Sequence, residues 1–200
     1  MESGNRDDRT KWNRFRKGDD LALSGIYAEY AGSLYLYGLK FTGNRAVIED
    51  ALHDLFIDLI RTRGSIRETG NIQFYLLKAF RRKLIRQLKR ESRYGDDQLK
   101  ENLFDVRYSA EQEMIAEESR SNTAKCLAQA IEKLSPRQKE AIYLKFQKEQ
   151  DYREISEILG MEIEASRNLV YRAVKSLKEA LQKTGADFVL FFILKKFKFR

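Results

Sequence analysis

Outside residues 91–121, apolar residues in this chain recur at steps of three and four from Trp12 to Leu181, and no segment alternates apolar with polar long enough to make a strand. One proline, Pro136, in 200 residues leaves long helices uninterrupted. The chain is therefore expected to be all-α. The clearest helix places Ile48, Ala51, Leu52, Leu55, Phe56, Leu59 and Ile60 on one stripe without a miss. Its opposite face carries Glu49, Asp50, His53, Asp54 and Asp58.

Upstream, Trp12, Phe15, Leu21, Leu23, Ile26, Tyr27, Tyr30, Leu34, Tyr37 and Phe41 keep the helical step, and "KGDDLAL" offers Asp19 or Asp20 as an N-cap. Residues 1–10 are polar and expected to be disordered. Downstream, the two glycines of "RTRGSIRETGN" break the pattern. A long helix follows from about Ile72 to Arg90, with Phe74, Leu77, Phe80, Leu84 and Leu88 as its stripe.

Charge is sorted into blocks within a formal net charge of +8. Phe74 to Arg90 holds Lys78, Arg81, Arg82, Lys83, Arg86, Lys89 and Arg90 and no acid. Such a run repels itself unless an anion relieves it, and nucleic acid is the favoured anion over a merely solvated face. Glu91 to Ser121 is instead acidic and weakly periodic, with nine acids against four cations. A long weak segment inside one compact domain is unusual, so residues 93–121 are read as a linker between two small domains, 11–92 and 122–184. Leu99, Leu103, Phe104 and Val106 are its docking candidates, and residues 185–200 form an apolar and basic tail.

The second domain announces its helices by their ends. In "SPRQ", Ser135 is the N-cap, Pro136 takes the first turn and Gln138 sits at N3, a capping box. "DYRE" repeats the device with Asp151 and Glu154, and Gly160 supplies the left-handed residue after Leu159. About three residues then separate Tyr152–Leu159 from a last helix running from Ile163 to about Lys183, a helix-turn-helix spacing. Ile155, Ile158 and Leu159, with Val170, Val174, Leu177 and Leu181, form the inward stripes. Glu164, Arg167, Asn168, Tyr171, Arg172 and Lys175 share the opposite face, with side chains suited to base edges and phosphates of a major groove. The plain alternative is the solvated face of a bundle helix.

The sequence offers no catalytic chemistry, and the protein is read as a non-enzyme without cofactor or small-molecule substrate. His53 is the only histidine, so no Ser/His/Asp set can be argued, and no zinc-ligand spacing exists. The lone Cys126 lies in an apolar stripe, excludes an intrachain disulfide and suits a reducing, cytoplasmic setting. The N-terminus lacks an apolar leader, and the longest apolar run, Phe188 to Leu194, is seven residues, too short to span a bilayer.

The segment "LSPRQKEAIYLKFQKEQDYREISEILGMEIEASRNLVYRAVKSLKE" resembles region 4 of the extracytoplasmic-function group of RNA polymerase sigma factors, in the sigma-70 family. "IEDALHDLFIDLI" and "FYLLKAFRRKLIRQLKRESR" resemble the acidic and basic helices of region 2. The likeness runs from about Trp12 to Lys183, two modules in the right order. It implies a region 2 helical bundle joined by a linker to a region 4 helix-turn-helix. It implies that core RNA polymerase is contacted by Asp50, His53, Asp54 and Phe56, with His53 standing where the family usually has Gln. It implies that the −10 promoter region is held by the loop Gly64–Gln73 with Phe74, Tyr75, Lys78, Arg81, Arg82 and Arg86. The −35 element would be read by Glu164, Arg167, Asn168, Tyr171, Arg172 and Lys175. Ser166, where the family commonly has Val, and Leu169, where a polar residue is common, depart from the pattern. An anti-sigma protein is the further partner implied. The alternatives are a stand-alone helix-turn-helix regulator that binds duplex DNA without polymerase, and a purely protein-binding helical adaptor. The tail "FVLFFILKKFKFR" lies outside the likeness; packing back on a domain, a partner, or a membrane surface would each suit it, and it is an aggregation hazard if left exposed.

Overall fold

The computed structural model describes residues 2–92, 104 and 129–182, with side chains for residues 7–91, 104 and 129–180. Every regular element among them is helical. The chain divides into two compact units, Met1–Lys100 and Glu101–Arg200, and the division falls inside the stretch read as a linker.

The first unit holds four helices: α1 (Glu2–Arg16), α2 (Asp20–Gly38), α3 (Arg45–Thr62) and α4 (Ile72–Ser92). Gly18, at φ +96°, turns the chain between α1 and α2, a conformation that a side chain resists. Asp19 then caps α2. Its carboxylate accepts from the backbone N–H groups of Leu21 (3.0 Å) and Ala22 (3.1 Å) and pairs with Arg14 at 2.7 Å. Trp12, Phe15, Ile26, Tyr37, Ile48, Leu55, Ile72, Leu76, Leu77, Phe80 and Leu84 are almost wholly buried and make the core. Burying each such side chain contributes roughly 1.5–3 kcal/mol. Close approach of α2 to its neighbours depends on Gly38, where a Cβ would stand 2.7 Å from Ile48 Cγ2.

Three expectations change here. Residues 2–10, expected to be disordered, belong to α1. The reason is tertiary. Asp8 accepts from the Tyr30 hydroxyl at 3.1 Å and from the Ile72 backbone N–H at 3.0 Å, and Arg9 pairs with Glu68 at 3.2 Å. Ile60, placed on the apolar stripe, and Leu21 and Tyr27, which keep the helical step, are exposed at 46%, 79% and 54%. Periodicity assigns an angle on a helix but not where its neighbours end. Finally, Phe74 and Leu88 are only half-buried, and Ile72 and Leu76 take the deep positions on α4.

In the second unit, helical residues 129–132 precede α5 (Pro136–Ile142), a wide π turn (Tyr143–Gln147), α6 (Tyr152–Leu159) and α7 (Ile163–Gln182). Both capping boxes are formed. Ser135 N–H donates to Gln138 Oε1 at 2.9 Å and Gln138 N–H to Ser135 Oγ at 3.3 Å. Asp151 N–H donates to Glu154 Oε2 at 2.9 Å and Glu154 N–H to Asp151 Oδ1 at 2.7 Å. Each reciprocal cap satisfies two backbone groups that a helix start otherwise leaves bare, which matters for helices of seven and eight residues. Ala130, Leu134, Ala173 and Leu177 form one buried cluster. Ala141, Leu144, Ile155, Ile158, Leu159 and Val170 are buried as well, and Phe104 rests on Tyr143 with ring centroids 5.6 Å apart. On α7, Ala173 is buried and Val174 half-buried. The expectations for Leu181 as an inward residue, Cys126 and Leu127 as core, Leu99, Leu103 and Val106 as docking points, and the tail from Phe188 lie outside the described residues.

Candidate nucleic-acid interface

The helix-turn-helix is set by its turn. Gly160 adopts φ +66° and ψ +49°, and Met161 N–H donates to Ser156 O at 2.9 Å, closing α6. Ser166 is fully buried. Its hydroxyl lies 2.8 Å from Tyr152 O and 2.7 Å from Ile163 O, so its one proton ties the second helix to the start of the first or to its own first turn. The departure at Ser166 therefore concerns the packing of the motif and not a base contact, while Leu169 is half-buried beside Val170. With the inward side so fixed, Glu164, Arg167, Asn168, Tyr171, Arg172 and Lys175 are all exposed together on α7, as the spacing requires. Arg167 pairs with Glu164 at 3.3 Å and lies 5.9 Å from the Tyr152 ring centroid, which holds its guanidinium at the leading end of the helix. Lys175 stands 3.9 Å from Glu179. These exposed pairs are weak and can be exchanged for phosphates or base edges.

In the first unit the chain between α3 and α4 is an ordered loop. Ser65 and Ile66 N–H donate to Thr62 O, and Ile66 is buried. Thr69 Oγ1 accepts from Asn71 N–H at 3.1 Å, and Asn71 Oδ1 accepts from Phe74 N–H at 2.9 Å, capping α4. From that cap, Phe74, Lys78, Arg81 and Arg82 line the outward side of α4, all half-buried but for exposed Arg82, with Arg86 exposed beside them. Lys78 Nζ lies 5.7 Å from the Phe74 ring centroid. Tyr75 is placed apart from these, half-buried against Trp12 at a 4.9 Å centroid distance. Desolvation, then the charge of Asp58, pushes its phenol above the ordinary value. Lys83 is ion-paired to Asp58 of α3, whose carboxyl is held below the ordinary range by that bond. One of the seven cations of α4 thus serves the packing of two helices.

On α3, Asp50, His53 and Asp54 are exposed at i, i+3 and i+4. Asp54 accepts from Gln87 Nε2 of α4 at 3.3 Å. Phe56 is not brought onto that face: it is 7% exposed, and its ring meets Tyr27 edge-on at 4.8 Å. The residue that does join the acids is Ile57, 36% exposed and one turn beyond His53. Sequence reasoning missed it because it had been given no part in the apolar stripe; an isoleucine off the stripe, amid acids, is itself the signal.

Comparison with known proteins follows the same division. Residues 26–94 match the family described as Sigma-70 region 2, and residues 124–177 match that described as Sigma-70, region 4; together these span more than half of the chain. The chain is 28% identical over 171 residues to the ECF RNA polymerase sigma factor BldN of Streptomyces coelicolor, covering 84% of this chain and 63% of that protein. It is 22% identical over 168 residues to the RNA polymerase sigma factor YlaC of Bacillus subtilis, covering 83% and 95%. It is 26% identical over 168 residues to the RNA polymerase sigma factor CarQ of Myxococcus xanthus, covering 84% and 94%. Two solved structures share the fold. CnrH in complex with the cytosolic domain of CnrY has a TM-score of 0.57 at 18% identity, over 88% of this chain and 97% of that one. The sigma factor RpoE of Bartonella quintana, with the anti-sigma factor NepR, has 0.56 at 19%, over 80% and 96%.

Proposed function

The chain belongs to the sigma-70 family, in its extracytoplasmic-function group, and from that premise we propose that it directs core RNA polymerase to promoters with three separate surfaces. The acidic face of α3 (Asp50, His53, Asp54), with Ile57 among its acids, takes the polymerase. A carboxylate cluster with an apolar centre gives orientation through charge and residence through burial. Phe56 contributes from beneath by holding the helix against Tyr27. The loop after α3 and the outward side of α4 take the −10 region. An unstacked base needs a planar partner and a cationic track, and Phe74, Lys78, Arg81, Arg82 and Arg86 provide both. Tyr75, turned toward Trp12, supports the cradle and is not its free platform.

The face of α7 takes the −35 element as duplex. Arg167 and Asn168 suit bidentate contacts to guanine and adenine, while Arg172 and Lys175 suit phosphates. The observation that carries this reading is the simultaneous exposure of all six predicted residues on a helix whose other side is locked by Ser166, Val170, Ala173 and Leu177. No described helix is long and apolar enough to cross a membrane. We place the protein's work in the cytoplasm, where the transcription machinery is, and propose an anti-sigma protein as its regulator, in keeping with the NepR complex of the RpoE relative.

The test is run-off transcription with purified bacterial core polymerase, the full chain and a library of upstream genomic fragments from its host. Transcripts that depend on the chain and share two spaced elements support the proposal. Duplex binding without polymerase and without transcripts would replace it with a stand-alone regulator. Polymerase binding without promoter selection would replace it with an adaptor.

A further inference from the structure

We infer that α1 is the positioning element of the loop between α3 and α4, and that Asp8, Trp12 and Asn13 set how selectively that loop takes up a promoter base. The inference rests on the proposed −10 reading of the loop. α1 lies upstream of residue 26, where the match to region 2 begins.

The loop has few bonds of its own. Ser65 and Ile66 are tied to Thr62 at one end, and Thr69 and Asn71 to each other at the other. Between them, the backbone carbonyl of Arg67 and the side chain of Glu68 are held from α1. The Trp12 indole N–H donates to Arg67 O at 3.0 Å. The Glu68 carboxylate receives Arg9 at 3.2 Å on one oxygen and the Asn13 amide on the other. Asp8 accepts from Ile72 N–H, the first turn of α4, and is itself fixed by the buried Tyr30 hydroxyl. Asp8, Arg9, Trp12 and Asn13 are spaced i, i+1, i+4 and i+5, one edge of one helix. The Trp12 ring also meets Tyr75, so a single residue touches both the loop backbone and the first turn of the reading helix.

These contacts do not serve DNA directly. Asp8 and Glu68 are acids, which a phosphate avoids, and Trp12 is wholly buried. What they do is fix a backbone. A cradle that selects a base by shape and hydrogen bonds must be held to a fraction of an ångström by its surroundings. Among the described residues, the side-chain bonds to Arg67 O and to the Glu68 carboxylate come from α1, so loosening α1 from the loop should blur selection before it weakens binding elsewhere.

The experiment uses the holoenzyme of core polymerase and the full chain. One probe is fork-junction DNA whose single-stranded non-template segment is randomised across the −10 positions. A second is duplex randomised at −35. Bound DNA is sequenced. Trp12→Phe keeps a ring against Phe15 and Tyr75 but removes the indole donor. Arg9→Ala with Asn13→Ala leaves Trp12 intact and frees Glu68. Both variants should flatten the base preference in the single-stranded segment by about fivefold or more. Polymerase affinity and −35 selection should stay at wild-type levels. Unchanged preference in both variants overturns the inference and leaves the loop reading standing. Equal loss of polymerase binding, −35 selection and −10 selection in both also overturns it, since α1 would then be a structural support only. A wild-type holoenzyme with no preference in the single-stranded segment removes the loop reading itself.

Discussion

Replacing Gly38 with alanine should destabilise the first unit, whereas the same change at Gly32, six residues earlier on α2, should stabilise it. At Gly38 the new methyl would stand 2.7 Å from Ile48 Cγ2 and 3.2 Å from Phe80 Cζ. Neither neighbour can swing away. Ile48 is β-branched, helical and wholly buried, so one χ1 rotamer dominates, and the Phe80 ring is wholly buried with Tyr37 6.4 Å away. Overpacking of this kind costs about 1–3 kcal/mol. Alanine returns roughly 0.4–1 kcal/mol by restricting the unfolded chain. The net is a loss of about 1–2 kcal/mol. At Gly32 nothing lies within 4 Å of the added atom, so only the gain remains. Trp12 is the sole tryptophan and is buried in this same unit, so its fluorescence reports this unit within the full chain. With a urea dependence of about 2 kcal/mol per molar, the midpoint should fall by roughly 0.5–1 M for Gly38→Ala and rise by a few tenths molar for Gly32→Ala. A Gly38→Ala protein as stable as Gly32→Ala would refute the close approach of α2, α3 and α4 in the core of the first unit.

Other expectations can be checked in parallel. Asp50→Ala with Asp54→Ala should reduce affinity for core polymerase, measured by biolayer interferometry, with the urea midpoint close to wild type because both residues are exposed. Arg167→Ala should relax preference at one −35 position by about 1–3 kcal/mol in competition binding; preference unchanged at every position would move the contact to Asn168, Arg172 or Lys175. Ser166→Ala should cost about 1 kcal/mol of stability in the second unit, seen by calorimetry, since a buried hydroxyl bond is lost without a cavity of much size. The carboxyls of Asp19 (bonded by Ala22 N–H and Arg14), Asp58 (Lys83) and Glu68 (Asn13 and Arg9) are all held below their ordinary values. Their stabilisation is complete above the unfolded values of roughly 4 and is lost as pH falls through the folded ones. The thermal midpoint should therefore decline below about pH 4, and less steeply in Asp58→Asn.

Helix ends were the most readable part of this sequence. Ser135 with Gln138, Asp151 with Glu154, Asp19, and Gly160 act within a few residues of themselves, so local chemistry decides them. Which side of α7 faces out was equally readable, because amphipathic spacing on a 20-residue helix leaves little freedom there. What escaped depends on partners far along the chain. The ordering of α1 comes from Asp8, Trp12 and Arg9 meeting residues 55 to 64 positions away, which no periodicity encodes. The outward turn of Ile60 and Tyr27 and the inward turn of Ser166 likewise follow from where neighbouring helices stop and from a carbonyl of α6 that lies within reach of the Ser166 hydroxyl.

The two reciprocal caps have a consequence for how such a chain can change over time. Each fixes the residue at which its helix begins, and the tight turn at Gly160 passes that phase on to α7. Inserting or deleting one residue in α7 ahead of Arg167 would rotate everything beyond it by about 100° and carry Arg167 and Asn168 off the face proposed to meet DNA. Exchanging the exposed residues in place disturbs nothing beneath them. Length between Ser135 and Lys175 is thus the rigid quantity, and lettering on the outer face is the free one, so under the proposed reading new promoter preferences are open to substitution and closed to insertion.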